Sequence, residues 1–122
     1  MRRLIFTSKK QLYFLIVLIS LLFGLGSAEA ATITSTATGG NWNVAGTWVG
    51  GVVPANGDTV VIATTGANSV VLVANISCAG ITINTGATLN ILTRTVTING
   101  AVINNGTVTG STGRLDQGTS ST

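Results

Sequence analysis

Few side chains in this sequence of 122 residues could carry out chemistry. The chain has no histidine, which excludes a Ser-His-Asp triad, a Cys-His dyad and a zinc site built on imidazole. After residue 30 the only acidic residues are Asp58 and Asp116. Hydrolysis of sugar bonds usually requires two placed carboxyl groups, but Asp58 follows Asn56–Gly57 as in a tight turn and Asp116 lies in a weakly patterned tail. We therefore predict no enzyme, no cofactor and no metal site.

The single cysteine is a second candidate for chemistry. One cysteine allows no disulfide within the chain. Cys78 alternates in step with Ile76, so we expect its side chain to be buried like a small hydrophobe. A disulfide between two chains is the alternative.

Binding chemistry could come from the tryptophan and threonine side chains. Trp42 and Trp48 could stack on sugars, but two tryptophans near the end of a fold are better explained by packing. Threonine occupies alternate positions from Thr34 to Thr38 and from Thr93 to Thr97, and such a face could bind ice or sugar. A solvent-facing strand in a chain that is poor in charge is the simpler interpretation.

Residues 1–30 have the pattern of a secretory signal peptide. Basic residues precede the apolar run Leu12–Leu25, which is shorter than the roughly 20 residues of a membrane span, and Ala28–Glu29–Ala30 is a small-x-small cleavage site. We expect cleavage before Ala31, a secreted or cell-surface location in a bacterium, and no membrane contact after the leader is removed. An uncleaved N-terminal anchor is the alternative.

Removal of the leader would also remove most of the charge. The whole chain has a formal net charge of +3. The remainder keeps Arg94 and Arg114 against Asp58 and Asp116, which is neutral. No basic patch survives, so we predict no nucleic-acid partner.

The elements that must position these residues are predicted to be strands. The processed chain is rich in Thr, Gly, Asn and Val, and its β-branched residues alternate with polar ones, which favours a folded all-β domain. Gly/Asn corners separate the short alternating segments. The residues expected to face the core are Val60, Ile62, Ile76, Cys78, Ile81, Ile83, Leu89, Ile91, Val96 and Ile98.

An imperfect internal repeat suggests how the strands are arranged. In a shorter echo, Ile81–Asn84 recurs as Val96–Asn99, and in a longer echo Asn84–Thr88 recurs loosely as Asn104–Val108. The two offsets differ, but imperfect coils of about this length favour a short parallel β-helix, or β-solenoid. A β-sandwich with antiparallel hairpins is the alternative.

The predicted organisation has four parts. After the signal peptide of residues 1–30, residues 31–57 form an N-terminal strand and cap, and residues 58–113 form the coils. Residues 114–122 are a frayed tail or the start of a further coil. A cap is expected because the ends of a solenoid are open strand edges. The residues assigned to it are Trp42, Trp48, Pro54, Gly57 and Asp58.

The stretch from Gly40 to Ile62, with its Trp, Trp, Pro and Gly-Asp pattern, resembles the start of large secreted bacterial right-handed β-helix proteins. These are adhesin-like or autotransporter-passenger-like proteins, and Ile81–Leu89 and Asn104–Val108 resemble their early coils. The resemblance covers about residues 36–113. It implies a right-handed parallel β-helix with a Trp-containing cap, and a structural or adhesive role. The departure is length, since such proteins have many more coils and a C-terminal export or anchoring domain.

Three functions are consistent with the sequence. The first is a secreted or cell-surface structural or adhesive protein that self-associates through its open C-terminal edge into a fibre, or is a fragment of a longer adhesin. Its expected partners are further copies or coils, and surface glycans. The second is the N-terminal piece of a carbohydrate-active β-helix enzyme whose catalytic coils lie beyond Thr122. The third is a small carbohydrate- or ice-binding module.

Overall fold

The computed structural model describes residues 29–118, and short strands are its main regular structure. Most of the predicted leader therefore lies outside the described residues. In this part of the chain there is one short 3-10 helix, Ala45–Thr47. The strands are β1 Thr32–Thr34, β2 Gly40–Asn41, β3 Thr59–Ile62, β4 Val70–Val71, β5 Ile76–Cys78, β6 Gly80–Ile83, β7 Thr88–Leu92, β8 Thr95–Ile98, β9 Val102–Asn104, β10 Thr107–Gly110 and β11 Arg114–Gln117.

All pairings between these strands are parallel, and they form three sheets. Sheet 1 has the order β1-β3-β6-β9, sheet 2 the order β2-β4-β7-β10, and sheet 3 the order β5-β8-β11. From β3 onward, successive strands pass through sheets 1, 2 and 3 in turn, so each turn of the chain lies on the previous one. This all-β arrangement of parallel sheets is consistent with a β-solenoid. It contains none of the antiparallel hairpins on which the sandwich alternative depends.

The register shows which residues lie one turn apart. In sheet 1, Ile81 of β6 lies opposite Val60 of the turn before and Val102 of the turn after. In sheet 2, Leu89 of β7 lies opposite Val70 and Val108 in the same way. The longer echo of the sequence has nearly the same spacing as these pairs, so it corresponds to one full turn.

The shorter echo was wrong as a repeat. It matches Ile81–Asn84 with Val96–Asn99, which belong to β6 and β8 and so to different sheets of the same turn. The match arises because strands in both sheets alternate an inward Ile or Val with an outward Thr. Of the two alternatives for the tail, Arg114–Gln117 fits a further coil, because it forms β11 and pairs with β8 along its whole length.

The core is a stack of inward side chains from the three sheets. Nine of the ten residues expected to face the core are buried, and Ile76 is half-buried. Ile76 is less covered because β5 pairs only with β8, and no strand lies on its other edge. Further buried residues close the core at the cap and at the corners. The buried hydrophobic residues are Trp42, Trp48, Val60, Ile62, Val70, Leu72, Cys78, Ile81, Ile83, Ala87, Leu89, Ile91, Val96 and Ile98.

A buried polar contact fixes the corner where β1 ends. The Ser35 hydroxyl accepts hydrogen bonds from the Ala63 and Thr64 backbone N–H groups, at 2.8 and 3.2 Å. The Thr64 hydroxyl lies 2.6 Å from the Thr36 carbonyl oxygen. Because the chain turns here, Thr36 and Thr38 lie outside β1 and do not continue the face that Thr34 occupies.

Candidate functional site

The two ends of the stack differ, and the N-terminal end is covered by the chain itself. In the first turn a long connection, residues 42–58, takes the place of a strand in sheet 3. The Thr36 N–H donates to the Thr47 carbonyl and the Val49 N–H to the Thr34 carbonyl, both at 2.8 Å. The Ser35 N–H points the other way, to Val61 of β3. Residues 47–49 therefore pair antiparallel with the edge of β1 that no other strand covers.

The two tryptophans form the interior of this cap. Trp42 and Trp48 are 3 % and 2 % exposed, and their rings meet edge to face with centroids 4.8 Å apart. The Trp48 indole N–H donates to the Trp42 carbonyl at 2.7 Å. Buried tryptophan usually requires such a partner for its N–H group. Both rings are thus enclosed and are not presented for stacking on a sugar.

Thr47 covers the edge of β2, a role that the sequence did not predict. Its hydroxyl donates to the Asn41 carbonyl at 2.7 Å. The contact requires glycine at position 40, where φ is +133° and a Cβ would lie 2.8 Å from the Thr47 hydroxyl. The Gly39–Gly40 pair was the available signal, because paired glycines often mark a close approach of two chain segments.

The remaining predicted cap residues hold the turn before β3. The Asp58 carboxylate accepts hydrogen bonds from the Ala55 N–H at 2.8 Å and the Ala31 N–H at 2.9 Å. These bonds, chiefly that from Ala55, lower the pKa of Asp58 below its ordinary value, against a smaller opposing effect of burial. Pro54 is half-buried and Gly57 is exposed. Asp58 therefore binds backbone N–H groups and is not free to act as a catalytic acid.

At the other end of the stack, no further strand of the described residues pairs with β9, β10 and β11. Hydrogen bonds from Asn105, Thr107 and Gly118 N–H groups run back to the previous turn. Because successive residues of a strand direct their N–H and C=O groups to opposite edges, the groups of the intervening residues point away from the stack. No strand among residues 29–118 pairs with them. The inward side chains of this last turn, Val102, Val108 and Leu115, are only half-buried although they pack on the core.

Two of the few charged residues lie on this edge. The Arg114 Nε donates to the Asp116 Oδ1 at 2.6 Å, both on β11. The two side chains are 69 % and 37 % exposed, so the pair is on the surface. Such exposed pairs contribute about 0–1 kcal/mol to stability. Their position on β11, the last described strand of sheet 3, is more informative than their contribution to stability.

In residues 29–118 there is no pocket, and no three His, Cys, Asp or Glu side chains come together. Each aspartate already has partners, Asp58 on the backbone and Asp116 on Arg114. Cys78 is fully buried, and its burial raises the pKa of the thiol.

On sheet 1 the outward-facing side chains are short and uncharged. Thr34, Val61, Thr82 and Ile103 lie in one column across the four strands. On sheet 3, Thr95 and Thr97 lie on β8 while Thr93 is in the preceding turn. These faces are the surfaces on which a flat ligand could lie. No helix in the described residues is long and apolar enough to cross a membrane.

Comparison of the chain with protein-family models, with curated proteins and with solved structures finds no match. What the structure defines is an all-β arrangement of three parallel sheets whose two ends differ within residues 29–118. Function has to be argued from that asymmetry.

Proposed function

We propose that this protein is an exported structural or adhesive protein, built as a right-handed β-helix with a Trp-containing N-terminal cap. The observation that carries the proposal is the contrast between the two ends. Residues 47–49 pair with the chain where β1 ends, whereas no strand among residues 29–118 pairs with the outer edges of β9, β10 and β11. An uncovered strand edge is a template for pairing with another strand, either a further coil or another copy of the chain.

Three features of the chain fit work outside the cell. The secretory pattern of residues 1–30 directs it there, and the remainder is nearly free of charge. The column of Thr34, Val61, Thr82 and Ile103 is an uncharged surface in register across the four strands of sheet 1, and surface glycans are the proposed ligands of the adhesive role.

Covering of the N-terminal edge also limits the kind of assembly. A fibre that grows head to tail requires two complementary free ends. The edge of β1 already holds residues 47–49. We therefore favour association through the C-terminal edge alone over unlimited growth.

A measurement of export and an assay of adhesion together test the proposal. The full chain is expressed in a bacterial host and its cleavage is located by mass spectrometry, with Ala31 expected as the first residue. Beads coated with the processed protein are then assayed for attachment to glycan-coated surfaces. The matched variant carries Thr82→Lys and Ile103→Lys, two changes on the outward column of sheet 1 whose side chains make no hydrogen bond in the described structure.

Attachment by the parent protein that the lysine variant reduces several-fold would support an adhesive face. An uncleaved chain that stays in the cytoplasm would contradict export. Equal attachment of parent and variant would contradict adhesion through sheet 1.

A carbohydrate- or ice-binding module is the second candidate, because the same column is uncharged and in register across four strands. An assay of ice recrystallisation distinguishes it from adhesion to glycans. Exchange of Thr95 and Thr97 for bulky residues tests the threonine face of sheet 3. Unchanged binding in that variant would remove that face as the site.

A further inference from the structure

We infer that β11 pairs antiparallel with β11 of a second copy, so that two molecules join by the last described turn of each stack into a closed twofold dimer. The inference rests on the proposed function and names the partner of its uncovered edge. Three independent features of the edge agree with it: the direction of the backbone groups, the order of the charges and the covering of the opposite end.

The backbone of β11 has the correct phase for such a pair. Arg114 and Gly118 donate their N–H groups to Arg94 and Ile98 of the previous turn. The N–H and C=O groups of Leu115 therefore point away from the stack. When two antiparallel copies are centred on Leu115, each Leu115 exchanges both hydrogen bonds with the other, as in a hydrogen-bonded antiparallel pair.

The charges on β11 match the same register. With Leu115 opposite Leu115, Arg114 of each copy lies opposite Asp116 of the other copy. The twofold axis therefore produces two such pairs. These are the non-hydrogen-bonded positions, where facing side chains approach most closely. Both side chains lie on the outer face, because Leu115 between them packs on the core. Opposite charges at facing positions stabilise a strand pair, so the edge is complementary to itself.

The rest of the C-terminal face fits the same twofold axis. An axis through the middle of sheet 3 exchanges sheets 1 and 2, so β9 of each copy lies over β10 of the other. The half-buried Val102, Val108 and Leu115 would then be covered by the same residues of the second copy. Because residues 47–49 pair with the chain where β1 ends, the opposite end of the stack is less open to the same kind of pairing, and we expect association to stop at the dimer.

Charge exchange on the processed protein tests the pairing. Dissociation constants are measured by sedimentation equilibrium for the parent, Arg114→Asp, Asp116→Arg, the double variant with both changes, and an equimolar mixture of the two single variants. Arg94→Asp is the matched control, since it reverses an exposed charge that lies in a turn off the β11 edge. Circular dichroism shows that each variant remains folded.

We expect the parent and the control to dimerise equally. Each single variant should dissociate about tenfold more readily, because like charges then face each other twice. The mixture of the two single variants should form a heterodimer, in which two carboxylates on one chain face two guanidinium groups on the other. The double variant restores opposite charges at the facing positions and should recover the affinity of the parent.

Three results would overturn the inference: a monomer at all concentrations, a dimer indifferent to both charge reversals, or polymers that grow with concentration. None of them bears on cleavage or attachment, so failure of the dimer is separable from failure of the proposed function. Conversely, the chain could form a dimer with the expected charge dependence and yet be neither exported nor adhesive. That result would support the β11 pairing and contradict the proposed function.

Discussion

At the scale of single residues, Asp58 is the group whose protonation should affect stability. Its carboxylate accepts N–H groups from Ala55 and Ala31, which lowers its pKa in the folded protein. A lowered pKa contributes stability that is present above the unfolded pKa of about 3.9 and is lost as the pH falls through the folded value. We therefore predict that the urea midpoint declines as the pH falls below about 4.

Substitution isolates this effect. Asp58→Asn should lower the midpoint at neutral pH and reduce the decline in acid, because the amide no longer titrates and provides only one acceptor oxygen. Asp116→Asn is the control, since Asp116 holds no backbone N–H group in the described structure. An equal acid decline in the parent and in Asp58→Asn would contradict the prediction.

Processing should add a charge to the same contact. Cleavage before Ala31 turns its N–H, 2.9 Å from the Asp58 Oδ1, into an α-ammonium group. The carboxylate should raise the amine pKa above its usual value of about 7.7–8.0. The added stability, about 0–1 kcal/mol for a surface pair, is present below that value and is lost as the pH rises through the folded pKa.

A chain that begins at Glu29 is the control for the processed chain. Its amide at Ala31 does not titrate, so only the processed chain should lose stability between about pH 7 and pH 10. The comparison is made by thermal unfolding monitored by circular dichroism. Identical pH profiles of the two chains would show that the new amine does not pair with Asp58.

Cys78 should be chemically inert in the folded protein. Its side chain is fully buried, and burial raises the pKa of the thiol, which lowers the thiolate fraction. We predict that iodoacetamide at pH 8 labels it at least about a hundredfold more slowly in native buffer than in urea, as followed by mass spectrometry. Rapid native labelling would revive the alternative of a disulfide between chains.

At the scale of elements, the corner between β9 and β10 depends on glycine. A Cβ at Gly106 would lie 2.5 Å from the Ala87 carbonyl oxygen and would also contact the backbone of Asn84. Neither neighbour can move as a flexible side chain would. Gly106→Ala should therefore destabilise the fold by about 1–3 kcal/mol in urea unfolding, as overpacking does.

The matched change is Gly46→Ala in the 3-10 helix, where a Cβ meets nothing within 4 Å. It should leave the urea midpoint nearly unchanged or raise it slightly. Equal effects at the two glycines would mean that the corner can widen without cost.

The strands were predictable to the extent that their side chains alternate. Val60, Ile62, Ile81 and Ile83 follow period 2, so their burial could be read from the sequence. The sheet to which each strand belongs could not, because inward Ile or Val with outward Thr recurs on all three sheets. The false repeat between β6 and β8 is the direct result of that degeneracy.

The cap was predictable as a location but not as a mechanism. The Trp, Pro and Gly-Asp pattern located it, but hydrogen bonds such as that of Val49 to Thr34 depend on how the connection folds back. Thr47 carries no signal of its own that distinguishes it from the many other threonines in the chain. Backbone pairing of irregular segments is decided by tertiary contacts, which local propensity does not encode.

At the scale of the whole molecule, the difference between the two ends of the described stack should decide how copies associate. A stack of turns is a quasi-one-dimensional object whose ends behave as strand edges. If only the C-terminal edge accepts a partner, association stops at two molecules. If both ends accept partners, association continues without limit. The cap is therefore expected to decide between a dimer and a fibre.

Val49→Pro tests this role of the cap. The Val49 side chain is 62 % exposed and its N–H donates to the Thr34 carbonyl, so proline removes the cap hydrogen bond with little loss of packing. Trp48 before it is extended, at φ −115° and ψ 140°, as a residue that precedes proline must be.

Val49→Ala keeps the N–H and is the control. We expect light scattering to show concentration-dependent polymers for the proline variant and parent-like behaviour for the alanine variant, because only the former exposes the edge of β1. Parent-like scattering from both would mean that residues 47–49 are not what stops growth at the N-terminal end.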